Sequence, residues 1–85
     1  MQVRLHKTFS KQYANLKPTQ QKRLKQAFEL FMVDPFHPDL YNHPLSGEWT
    51  GYRSIAFGGD WRAHYKQTDD TAIFVAVGTH SQLYK

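Results

Sequence analysis

The chain has no cysteine among its 85 residues, which removes disulfides, thiolate zinc sites and a thiol nucleophile. No stretch approaches the ~20 apolar residues of a membrane span, and the first residues lack the apolar core of a secretory signal. The expected compartment is therefore the cytoplasm, with no membrane partner. Acidic residues are missing from positions 1 to 25, where Arg4, Lys7, Lys11, Lys17, Lys22, Arg23 and Lys25 all stand, and the formal net charge is +4. A block of one sign can be a solvated helix face, but it also attracts the phosphates of nucleic acid. Repeats and low-complexity segments are absent too. The chain reads as a single domain, residues 1–85, of a size that buries only about 60% of its unfolded surface.

What is present suggests an α+β fold. Val3 to Phe9 alternates apolar Val3, Leu5 and Phe9 with polar neighbours, which predicts a half-buried strand. Ser10 can cap a short helix over 11 to 16, and Pro18 fits the first turn of a second helix, whose Leu24, Ala27, Phe28 and Phe31 recur at helical spacing until about Val33. Residues 34 to 50, rich in proline, read as a long connecting loop, and long loops in small domains are often functional. Gly51–Phe57, Asp60–Gln67 and Ala72–Val77 are strand-like and are joined by tight turns. The expectation is an antiparallel sheet of about four strands with an N-terminal helical hairpin on one face.

Chemistry concentrates in the second half. On an extended Asp60–Lys66, Trp61, Ala63 and Tyr65 share one face and read as core, while Asp60, Arg62 and His64 share the other. Asp60 and Arg62 could be no more than a surface ion pair. His43 precedes Pro44 at the end of the loop, and His80 follows Gly78-Thr79, so rigid turns place both beside the sheet. Histidines near arginines can cut RNA through its own 2′-hydroxyl: one group removes the proton, another protonates the departing 5′-oxygen, and cations stabilise the phosphate. Arg53 and Arg62 are the candidate phosphate ligands, with Lys22, Arg23 and Lys25 as further RNA contacts. The spacing of His37 and His43 is not that of a zinc site, so no metal or other cofactor is expected. Trp61 reads as core, and Trp49 as core by the same burial tendency, although an exposed indole could stack on a base.

HPLSGEWTGYRS, GGDWR with Tyr65 three residues on, and GTHSQLY together resemble the YafQ branch of the RelE/ParE superfamily of bacterial toxin–antitoxin modules. The likeness runs over nearly the whole chain. It implies a RelE-like microbial-ribonuclease fold that cuts ribosome-bound mRNA without a metal and is inhibited by a cognate small antitoxin in a hetero-oligomer. The ribosomal A site would be the place of action. On this likeness His43, Asp60, His80 and Tyr84 match catalytic positions, and Arg62 matches an arginine that holds the scissile phosphate. His80 is then the general acid, His43 or Asp60 the general base, and Tyr84 the residue that orients RNA.

One departure stands out. A further histidine often lies four residues before the aspartate, where this chain has Ala56. Either His64 supplies a substitute imidazole, or catalysis uses fewer groups. The superfamily also admits a ParE-like inhibitor of DNA gyrase that cuts nothing, and an inert binding relative whose histidines are relics. In every case the antitoxin is expected to lie across the basic face and the groove.

Overall fold

In the computed structural model, which describes residues 1–84, the order of elements is β1 (Gln2–Leu5), α1 (Lys7–Ala14), α2 (Pro18–Val33), β2 (His43–Pro44), β3 (Arg53–Ala56), β4 (Trp61–Thr68), β5 (Thr71–Thr79) and α3 (His80–Leu83). The strands form one five-stranded sheet in the order β1-β5-β4-β3-β2. The α+β class and the helical hairpin on one face agree with the sequence reading. The sheet has one strand more, the short β2, and it is not wholly antiparallel, because β1 lies parallel to β5.

The first strand also stops sooner than the alternation suggested. His6 caps α1, its Nδ1 accepting the Thr8 backbone N–H at 3.1 Å, so the helix begins at Lys7 rather than after Ser10. Phe9, Tyr13 and Leu16 have helical spacing, and burying all three against the core outweighs the strand-like alternation of Val3, Leu5 and Phe9. Pro18 opens α2 as expected, and that helix ends at Val33. The segment 34 to 50 is not a plain loop: it holds 3-10 turns at Pro38–Leu40 and Gly47–Trp49 on either side of β2.

Phe9, Leu24, Ala27 and Phe31 of the hairpin pack on Ile55, Ala63, Tyr65, Phe74 and Val77 of the sheet. Directly paired residues share a face, and the register Ile55↔Ala63↔Val77 marks the side covered by helices. Ser54↔His64↔Ala76 marks the opposite side. A bulge on β5 shifts the register between His64 and Tyr65, leaving Val75 as the extra residue. It changes the phase of the strand, so Phe74 and Val77 both reach the core although they are three residues apart. Among the described residues no helix is long and apolar enough to cross a membrane.

Candidate active site on the open face of the sheet

Four cationic or titratable groups converge on the face that the helices leave free. β2 pairs His43 with Ser54, which in turn faces His64 on β4. Arg62 lies two residues from His64 on the same face, opposite Ala56. His80 opens α3, where Thr79 and Gln82 form a reciprocal capping box and the His80 N–H donates to the Asp60 carbonyl at 2.8 Å. That last bond ties α3 to the turn before β4.

His64 is fully buried. Trp49 presents an edge-to-face contact with ring centroids 4.5 Å apart, and the Tyr84 hydroxyl stands 3.4 Å from its Nε2. Burial first, and then the positive charge of His43, His80 and Arg62, push its pKa from 6.5 down to about 4, so it is neutral at physiological pH. Its Nδ1 and the facing Ser54 Oγ are buried with no hydrogen-bond partner among the described residues. Each such group costs roughly 1–3 kcal/mol, an expense more at home in a functional cleft than in a scaffold.

The other two histidines are exposed. His43 Nδ1 donates to the Tyr41 carbonyl at 2.7 Å. A carbonyl can only accept, so Nδ1 carries the proton and Nε2 of the neutral ring holds a free lone pair. The ring of His80 stacks on that of Tyr84 with centroids 4.5 Å apart. Burial raises the Tyr84 pKa, against an opposing pull from Arg62, and the residue stays a phenol. One arm of Arg62, Nη1, donates to the Gly59 and Trp61 carbonyls at 2.7 and 2.9 Å. Its Nε and Nη2 make no hydrogen bond among the described residues.

Other sequence candidates lie elsewhere. Asp60 sits in the turn, not in β4, and meets His80 through its carbonyl; among the described residues its carboxylate forms no ion pair with Arg62. Arg53 pairs with Tyr65 and therefore points to the helix side, where its Nε donates to Asn42 Oδ1 at 2.8 Å and its guanidinium covers the Phe36 ring. It is thus not beside the histidines. Its parity with Ile55 and Phe57, both buried, was the sequence signal for that placement. Lys22, Arg23 and Lys25 are exposed on α2, in the layer behind the sheet. Of these, Arg23 reaches the sheet's rim and packs against Gly58. Among the described residues no three His, Asp or Glu are placed to share a metal ion. Trp49, Ser54 and Tyr52 are neighbours that the sequence reading did not assign to the site.

The fold of a helical hairpin backing a five-stranded sheet is shared with solved bacterial toxins. The crystal structure of YafQ from Escherichia coli strain BL21(DE3) superposes with a TM-score of 0.80 at 28% identity, over 98% of this chain and 97% of that one. The structure of the E. coli DinJ–YafQ complex gives 0.73 at 30% identity, over 98% and 97%. The mRNA interferase toxin YafQ of E. coli K12 is 44% identical over 48 residues, which are 55% of this chain and 52% of that protein. The matched segment thus spans about half the length of such curated relatives. The family model described as the bacterial toxin of type II toxin-antitoxin system, YafQ, matches residues 1–85, and the chain belongs to that family.

Proposed function

We propose that this chain is an endoribonuclease toxin that cleaves mRNA by attack of the 2′-hydroxyl on the adjacent phosphate, without a metal, and so stops translation. The observation that carries the reading is the meeting of His43, His80 and Arg62 on one open face, with His43 held in the tautomer a base needs. The likeness to YafQ of E. coli, named as an mRNA interferase toxin, supports it.

In this mechanism His43 Nε2 removes the 2′-hydroxyl proton, protonated His80 delivers a proton to the departing 5′-oxygen, and Arg62 offers Nε and Nη2 to the phosphate as charge builds on it. The products are a 2′,3′-cyclic phosphate and a 5′-hydroxyl. Tyr84 stacks on the RNA and is steered by His64 from beneath. His64, covered by Trp49 and Tyr84, is a positioning residue and not a substitute imidazole, so catalysis uses fewer groups. Asp60 anchors the His80 turn through its carbonyl and faces solvent with its carboxylate, leaving His43 the better base. The substrate is mRNA in the ribosomal A site, and the partner is a cognate antitoxin, as in the solved E. coli DinJ–YafQ toxin–antitoxin complex. Lys22, Arg23 and Lys25 then serve the antitoxin or the ribosomal surface rather than the scissile phosphate.

Primer extension on cellular mRNA after induction of this chain alone, beside a His80→Ala control, tests the reading. In-frame 5′ ends that disappear in the control are the expected result. Arrested growth with intact mRNA would favour a gyrase-directed toxin, and normal growth an inert relative.

A further inference from the structure

Beside the histidine cluster, on the same face, a cavity of about 360 Å³ is lined by His6, Thr8, Trp49, Tyr52 and Val75. We propose that it is a nucleobase subsite, taking one unstacked base of the single-stranded RNA whose phosphate lies at Arg62. The inference rests on the ribonuclease reading and extends it to a neighbouring nucleotide.

The walls suit a planar heterocycle. Trp49 and Tyr52 meet edge-to-face with centroids 5.5 Å apart, giving two aromatic surfaces at a right angle. Bases of single-stranded RNA stack on such rings and are read at their edges. Lys66 Nζ stands 5.7 Å from the Tyr52 ring centre and brings a cation to the rim, where a flanking phosphate would run. His6 Nδ1 already accepts the Thr8 N–H, so the neutral ring carries its proton on Nε2 and has a donor to spare. The Thr8 hydroxyl can donate or accept. The volume is at the small end of the range for small-molecule sites, which favours a single base over a bulky peptide.

Two features join the cavity to the catalytic groups. Trp49 lines it and also packs on His64. Val75, the extra residue of the β5 bulge, forms part of its wall, and bulges commonly occur where a strand re-aims side chains near a site. Neither His6 nor Tyr52 has a part in the cleavage chemistry above.

The test uses 2′-O-methyl RNA oligonucleotides, which bind without being cut, each lacking one base. Affinity is read by fluorescence anisotropy for the wild type, Tyr52→Leu and Thr8→Phe; the last fills the cavity from an exposed position in the first turn of α1 and keeps the aromatic walls. The wild type is expected to lose about tenfold in affinity when the base at one position is removed. Both variants should bind the intact strand about as weakly as the wild type binds that abasic strand, with little further loss on removing the base. A penalty spread evenly along the strand, or one that survives in both variants, overturns the subsite. Failure of the wild type to bind while His80-dependent mRNA cleavage persists in cells also overturns the subsite alone. If binding and cellular cleavage are both absent, the ribonuclease reading falls and the subsite with it.

Discussion

At the scale of single residues, the site divides into groups that meet RNA and groups that hold them. His43→Ala and His80→Ala should each lower cleavage by about 10²- to 10⁴-fold, the usual worth of a positioned acid or base, measured as single-turnover rates on a defined mRNA. Arg62→Lys should come close to Arg62→Ala, because one ammonium cannot bond the Gly59 and Trp61 carbonyls and also present a planar pair of donors to phosphate. His64 predicts a different signature. Its pKa is 6.5 unfolded and about 4 folded, so between these values the unfolded chain binds the extra proton and stability rises with pH. The contribution is complete above about pH 6.5 and is lost as pH falls toward 4, by on the order of 2–3 kcal/mol. Urea denaturation from pH 7 to 4 should show that slope in the wild type and a shallower one in His64→Leu, which also relieves an unpartnered buried nitrogen. The face on which Arg62 points was legible from its strand's alternation; His43 and His80 stood out as residues beside the sheet, but β2 and α3, which place them, did not. Burial of His64 beneath Trp49 was not legible either, since it depends on a contact between distant segments.

At the scale of elements, α3 does more than its four residues suggest. It carries His80 and positions Tyr84, and it is held by the Thr79–Gln82 capping box and by the bond from His80 to Asp60. Gln82 reaches back over Gly78, where an added Cβ would stand 2.8 Å from its Oε1. Gly78→Ala must therefore push Gln82 aside and open half of the box. The expected cost in stability is about 1 kcal/mol, that of a lost cap, while cleavage falls much further because the acid loses its place. Comparing melting temperature with cleavage rate in Gly78→Ala and Thr79→Ala checks this; equal small losses in both properties would argue that α3 merely closes the fold. The helical hairpin and the β3–β5 meander could be read from periodicity and turns, whereas α3 was not foreseen. β2 could not, because two residues, one of them proline, carry no strand pattern. The parallel placement of β1 was equally hidden, since nothing local specifies which edge a first strand will join.

At the scale of the whole molecule, the helix layer and the site are opposite sides of one thin sheet, so stability and activity can be separated by face. A chain of this length has roughly 4 to 13 kcal/mol to lose. Phe31 is fully buried and meets Tyr65 and Phe74 edge-on, with centroids 5.1 and 5.5 Å away. Tyr65 adjoins His64 in β4, but its side chain lies on the helix side. Phe31→Ala should therefore cost about 3–5 kcal/mol and lower the urea midpoint with little change in slope. Where the fold survives, at low temperature, the folded fraction should cleave as fast per molecule as the wild type. His80→Ala should show the reverse, a normal midpoint and lost cleavage. If Phe31→Ala slows the chemistry of the folded molecules themselves, the sheet transmits strain from the helix layer to the open face, and the two sides are not independent. Binding of a partner that recognises only the folded chain would restore Phe31→Ala by mass action, about 2.7 kcal/mol at a hundredfold excess over Kd. Rescue of its midpoint by a cognate antitoxin, with cleavage still blocked, is the outcome expected if that partner covers the open face.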